Sequence, residues 1–182
     1  MRVCINAGHT PVERIGKDDW DCGAVNKFNG DTENKFNALI ARQVQTALNA
    51  VGYNTIYIQD YSLEKIADYC NVNDCDYFLS VHCNSFNEQA RGTEVLYHPY
   101  SPEGLKLAIQ IQNQIIATFS LVNRGVKSRS DLYVLNATNC VAVLIECAFI
   151  DNASDDTMLH YRFKDFGDAI ARGFTDYISK VQ

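Results

Sequence analysis

Short apolar runs alternating with helix-period stretches predict an α/β fold: a single domain with a twisted, mostly parallel sheet of about six strands flanked by helices. Two observations carry this expectation. Runs such as "YFLSV" and "VAVLI" read as buried strands, and the stretches between them repeat apolar residues at three- and four-residue spacing. The 182 residues, 47% apolar and 21% charged, suit one core. No repeat, low-complexity tract or linker divides the chain, so one domain over residues 1–182 is expected.

The opening "MRVCINAGH" reads as a strand that stops at Gly8. Residues 11–30 are polar and rich in Gly, Asn and Asp, a long loop of the kind that often carries function. A helix should follow with Phe36, Leu39, Ile40, Val44, Ala47 and Leu48 on one face, capped by Asp31 or Thr32 and ended by Gly52. "YNTIYIQ" is the next strand, and a short helix from Ser62 to about Asn71 carries Leu63, Ile66, Ala67 and Cys70. "DYFLSVHCN" and "GTEVLYH" read as strands. Leu105, Ala108, Ile109, Gln112, Ile116 and Phe119 trace a second long helix. "DLYVLN" and "VAVLIE" are two more strands, and a helix with Phe166, Ala169, Ile170, Gly173, Phe174 and Tyr177 on its core face closes the chain.

The net charge of -6 argues against a nucleic-acid partner, whose polyanionic backbone favours basic faces. Arg124, Lys127 and Arg129 in "NRGVKSR", with Lys106 upstream, make at most a local patch and read as a solvated loop. No apolar run approaches the ~20 residues needed to cross a bilayer, so no membrane insertion is expected. "RVCINA" is too short for a signal-peptide core, which points to synthesis in the cytoplasm without an export signal. The seven cysteines are irregularly spaced and include no CxxC pair, so neither a disulfide framework nor a Cys-rich structural zinc site is expected. They read as mostly free, buried thiols.

Reactive side chains fall where strands end. His9 ends the first strand, His82 ends "YFLSV", and Glu146 opens "ECAFIDN" directly after "VAVLI". A charge delivered by an apolar strand is costly unless it is paired, solvated or working. In open α/β sheets, sites form beyond the carboxyl ends of the strands, so these three residues meet if their strands are parallel neighbours. Glu33, in the first turn of the long helix, is a fourth candidate, because a helix N-terminus favours an ionised carboxylate. Two His and a carboxylate make a catalytic zinc shell with one open position. Each also has a plain structural reading, as hydrogen-bonded strand-end histidines and a helix-start glutamate. His98 and His160 sit beside turn and surface signals and read as structural.

Seven motifs in order then carry a resemblance: "NAGH", "DCGA", "TENKFN", "SVHCNS", "GTEVLY", "RGVK" and "VLIECAFIDN". From Val3 to about Ile178 the chain resembles the zinc-dependent N-acetylmuramoyl-L-alanine amidases of the Amidase_3 family, found in bacterial autolysins and phage endolysins. The resemblance implies that His9, Glu33 and His82 bind Zn2+ and that Glu146 is the catalytic glutamate. It implies a peptidoglycan substrate, cut between N-acetylmuramic acid and L-alanine during host lysis or autolysis, and a cell-wall binding domain outside this chain as a possible partner. "NAGHTP" departs from the more usual Asp-Pro-Gly-His-Gly-Gly, and Asn136 stands where many members carry Arg.

Two rivals are open at this point. A cysteine hydrolase would use Cys83 or Cys147 beside His82 or His9, although both cysteines directly follow a motif residue and so should point to the other sheet face. A non-catalytic wall-binding module would keep the fold without turnover. Asn84 and Ser85 are candidates to orient His82 or touch the peptide; Trp20 is a candidate stacking platform or loop anchor; Glu94 is a candidate substrate contact, with a strand-face charge the plainer reading.

Overall fold

Among the residues that the computed structural model describes, 1–10 and 21–181, six strands and five helices follow one another. Trp20 and the start of the long loop lie outside them. The order is β1 (Arg2–Ala7), α1 (Glu33–Ala50), β2 (Asn54–Ile58), α2 (Leu63–Val72), β3 (Tyr77–Asn84), β4 (Thr93–Tyr97), α3 (Pro102–Thr118), β5 (Asn123–Ser128), α4 (Tyr133–Ala137), β6 (Val141–Phe149) and α5 (Ala153–Val181). The strands form one sheet in the order β2-β1-β3-β6-β4-β5. Every pairing is parallel except β4 with β6.

The main core lies on one face of the sheet, where Phe36, Ile40, Val44 and Leu48 of α1, Leu107 and Ile111 of α3, and Phe166, Ile170 and Phe174 of α5 are buried. A smaller core on the other face joins Ile66 and Cys70 of α2 and Val134 and Leu135 of α4 to Cys4, Phe78, Leu96 and Leu144. Glu33 opens α1 after Thr32, which makes no side-chain capping hydrogen bond, so the expected cap is not formed; the Ser62 hydroxyl does cap α2, accepting from the Lys65 N–H at 3.2 Å. No helix among the described residues is long and apolar enough to cross a membrane.

Four expectations about the elements are corrected. "DLYVLN" is not a strand: its apolar residues form α4, where Asn136 donates back to the Ser130 and Leu132 carbonyls at 2.9 and 3.0 Å. So short an apolar run has no period that distinguishes a helical turn from a strand. The sixth strand is instead β5, the "NRGVKS" segment read as a solvated loop. It is an edge strand pairing only with β4, and edge strands favour charge over apolar residues. In α3 the buried stripe runs through Leu107, Ala108, Ile111 and Ile115, leaving Ile109 exposed and Leu105 and Ile116 half-buried. Aliphatic residues on most sides of this helix blur its apolar face. The last helix also starts earlier than its core face suggested, with a break in helical backbone at Arg162.

Candidate metal and catalytic site

The chain leaves β1 for β2 on one side and returns to β3 on the other, which makes the β1/β3 boundary a topological switch point. His9 follows the end of β1, and His82 lies near the end of β3. The register sets His82 opposite Glu146 across the β3–β6 pair. Glu33, the first residue of α1, completes the group from above the sheet edge. One ligand atom from each of His9, Glu33 and His82 falls within 4.8 Å of the others.

The Glu33 carboxylate is the hub. Its Oε1 lies 3.0 Å from His82 Nδ1 and its Oε2 lies 3.3 Å from His9 Nε2. Backbone N–H groups of Ala24 and Cys83 donate to it at 3.0 and 3.2 Å, and the Asn37 amide donates at 3.1 Å. Burial pushes its pKa up, but the contacts with His82 and then His9 outweigh this and hold it well below the usual carboxylate range. His9 Nδ1 is 2.8 Å from Asp21 Oδ1, which orients the ring so that Nε2 faces Glu33. Burial works against charge on His9, yet Glu33 and then Asp21 raise it to about 9.

Two glycines permit this crowding. A Cβ on Gly8 would meet the His82 ring at 2.1 Å, and one on Gly23 would sit 2.5 Å from Glu33 Oε2. His9 itself adopts a left-handed backbone, φ 59, a conformation uncommon outside glycine and held here by the hydrogen bond of its ring to Asp21.

Glu146, a half-buried residue, contrasts with the buried Asp151 and Asp155, which each accept backbone hydrogen bonds. Asp151 accepts from the Phe86 and Glu88 N–H groups, both at 2.9 Å, and Asp155 accepts from Gly92 and Phe149 at 2.7 and 3.0 Å. Those carboxylates fasten loops. Glu146 Oε2 is buried with no partner among the described residues. Burial pushes its pKa up to about 7; His82 works against the shift, while Glu33 and Glu94 add to it. A carboxylate so placed is poised to exchange a proton near neutrality. Glu94 faces Glu146 across the β4–β6 pair and is gripped by Arg124 at 2.7 Å and by Lys127. Burial raises its pKa, but Lys127 and Arg124 outweigh that and keep it ionised.

Clefts open on both sides of these groups. One of about 300 Å³ is lined by His9, His82, Tyr61, Leu63 and Tyr133. Another of about 330 Å³ is lined by Glu146, Ser85, Phe86, Arg124 and Arg129. The donor set fits a divalent metal: two imidazoles and an ionised carboxylate converge, and both histidines also face a cleft, which leaves room for a further ligand.

The remaining candidates fall elsewhere. Cys83 and Cys147 are in the main core on the opposite face of the sheet, and burial raises both thiols well above their ordinary range. Neither has the thiolate a nucleophile needs. Asn84 does not orient His82; its amide reaches Glu94 at 3.4 Å. His98 accepts from the Tyr100 N–H in a turn, and His160 pairs with Asp31 at 2.5 Å. Asp21, quoted in "DCGA" but given no role, is the residue that sequence reasoning missed; its signal was its place beside the glycine that the crowding requires.

A family model described as N-acetylmuramoyl-L-alanine amidase (Amidase_3) matches residues 3–176. The chain is 34% identical over 159 residues to N-acetylmuramoyl-L-alanine amidase LytC of Bacillus subtilis, a match covering 84% of this chain and 32% of LytC. It is 34% identical over 184 residues to YqiI of the same organism, covering 96% of this chain and 84% of YqiI. Among solved structures, Cwp6 from Clostridium difficile has a TM-score of 0.87 at 30% identity, over 97% of this chain and 29% of Cwp6. The amidase AmiC2 of Nostoc punctiforme has a TM-score of 0.87 at 24% identity, over 98% of this chain and 97% of AmiC2, a likeness that speaks for the fold alone. The chain thus spans about a third of LytC and of Cwp6.

Proposed function

The chain belongs to the N-acetylmuramoyl-L-alanine amidase family, Amidase_3, and from that premise we propose that it hydrolyses the amide between N-acetylmuramic acid and the L-alanine of the peptidoglycan stem peptide. The observation that carries this reading is the convergence of His9 Nε2, His82 Nδ1 and the Glu33 carboxylate beside Glu146, whose buried Oε2 has no partner among the described residues. Those three residues would hold Zn2+, with Asp21 fixing the His9 tautomer. Zinc held there supplies a nucleophile at neutral pH and polarises the scissile carbonyl.

Glu146 takes the proton from the attacking water and delivers it to the alanine nitrogen as the C–N bond breaks. Its raised pKa suits both halves of that exchange. Glu94 is no substrate contact in this reading; its charge keeps Glu146 basic. With a net charge of -6 the chain has no electrostatic pull toward an anionic wall, and we assign targeting to a separate wall-binding module.

The test is hydrolysis of purified peptidoglycan with and without a chelator, followed by zinc add-back and analysis of the new ends. New L-alanine amino termini without new reducing sugars, lost with chelator and restored by zinc, are expected. Release of reducing sugars, or activity indifferent to the chelator, overturns the reading.

Two further outcomes follow from the electrostatics. Glu94→Gln removes a negative neighbour and frees Arg124 and Lys127, and both changes lower the Glu146 pKa. The acidic limb of the kcat/KM profile should move to lower pH by on the order of one unit. An unmoved limb would mean that Glu94 does not tune the base. In the metal-free chain His9 stays protonated below about 9, so zinc uptake at pH 7 must displace a proton. Apparent zinc affinity should fall about tenfold per pH unit below that value and level off above it. Calorimetry in buffers of different ionisation enthalpy counts the protons, and a count near zero at pH 7 would show that His9 is neutral in the free chain.

A further inference from the structure

Three of the seven cysteines meet near the opposite ends of the strands from His9 and His82, and a fourth, Cys140, stands beside one of them. Cys4 lies on β1 in register with Phe78 near the start of β3. Cys70 is in the last turn of α2, Cys75 lies just before β3, and Cys140 directly precedes β6. The Sγ atoms of Cys4, Cys70 and Cys75 lie within 4.8 Å of one another, and Cys140 Sγ is 3.6 Å from that of Cys70. All four are free thiols.

We propose that Cys4, Cys70, Cys75 and Cys140 form a second metal site, a structural tetrathiolate for Zn2+ that is independent of the His9–Glu33–His82 group. Zinc–sulfur bonds of ~2.3 Å in a tetrahedron set neighbouring sulfurs ~3.8 Å apart. The Cys70–Cys140 separation is close to that edge and far from the ~2.05 Å of a disulfide. Cys70 and Cys75 are separated by four residues, within the spacing of paired zinc ligands.

The surroundings hold the cysteines in place without using them. The Asn71 amide donates to the Ala137 carbonyl, and its oxygen accepts from the Asn139 N–H, both at 2.8 Å. These bonds tie the end of α2 to the segment that delivers Cys140. The Arg2 guanidinium donates to the Asn73 carbonyl, which brings a positive charge to the turn between Cys70 and Cys75. Cys4 and Cys70 are buried, whereas Cys75 and Cys140 line an open depression that gives an ion an entry path.

The fold supplies a reason for such a clip. Among the described residues the main core has thirty buried residues, and the core under α2 and α4 has nine. A metal bound to β1, α2, the start of β3 and the approach to β6 would pin the thin layer to the sheet.

The test is cobalt substitution of the reduced, metal-stripped full chain. Thiolate ligands give intense near-ultraviolet charge-transfer absorption with Co2+, and imidazole–carboxylate sites do not, so the readout is separate from the amidase reading. Two equivalents of cobalt, enough for both sites, should develop this band, and zinc should bleach it. His82→Ala should keep it in full, whereas Cys140→Ser should weaken it, lower the zinc content by one ion per chain and leave the hydrolytic centre in place. The wild-type spectrum needs no variant to fold. Absence of the band, an undiminished band in Cys140→Ser, or two thiols missing from the seven in the denatured, unreduced protein would overturn the proposal, the last by showing a disulfide.

Discussion

Glu146→Ala should keep its zinc and lose hydrolysis by a factor of ~10²–10⁴, the usual worth of a positioned general base. No described residue donates to Glu146 Oε2, so the truncation strands no partner. The variant should also be no less stable than the parent at pH 8. Folding raises the Glu146 pKa from 4.5 to about 7, so its charge opposes folding increasingly as pH climbs through that interval. Alanine removes the opposition. Turnover of a soluble muropeptide, zinc content and a melting curve, measured on one preparation, separate the possibilities. Loss of zinc would make Glu146 a ligand, and undiminished turnover would move the base elsewhere.

His82→Ala should lose both metal and activity. The imidazole is one of three donors and also the neighbour that most strongly favours the charged form of Glu33. Without it Glu33 keeps the Ala24, Cys83 and Asn37 donors, so the local backbone stays anchored while the ligand set drops to two. Zinc affinity should fall by more than ~10²-fold, beyond the 10–100-fold typical of losing an outer-shell partner. Zinc content after dialysis and circular dichroism read the two effects apart. An active, metal-free His82→Ala protein would sink the zinc mechanism.

The legibility of this site in the sequence varied with the physics behind each residue. His9, His82 and Glu146 were readable because apolar strands mark their own ends, and parallel strands bring such ends together. Glu33 needed both its helix-start position and the family resemblance. Asp21 was opaque, since one polar residue in a polar loop looks like its neighbours until a fold aims it at an imidazole. The sheet was readable in size and class, but "DLYVLN" and "NRGVKS" exchanged roles. Apolar content identifies interior strands and says little about a charged edge strand whose Arg124 and Lys127 answer a buried Glu94. The cysteine cluster escaped because a search for adjacent pairs overlooks the wider Cys70–Cys75 spacing and cannot know that Cys4 and Cys140 come alongside.

The sheet order also dictates a folding history. β3 and β4 are consecutive in the chain yet do not pair; β6, made much later, occupies the slot between them. Until residues 141–149 have been synthesised, both flanking strands present unpaired edges, a state prone to association and slow to resolve because its closing contacts are non-local. The strand that seals the slot is the one that carries Glu146. An incomplete chain therefore lacks Glu146, and on the proposed mechanism the last act of building the sheet is also the act that arms it.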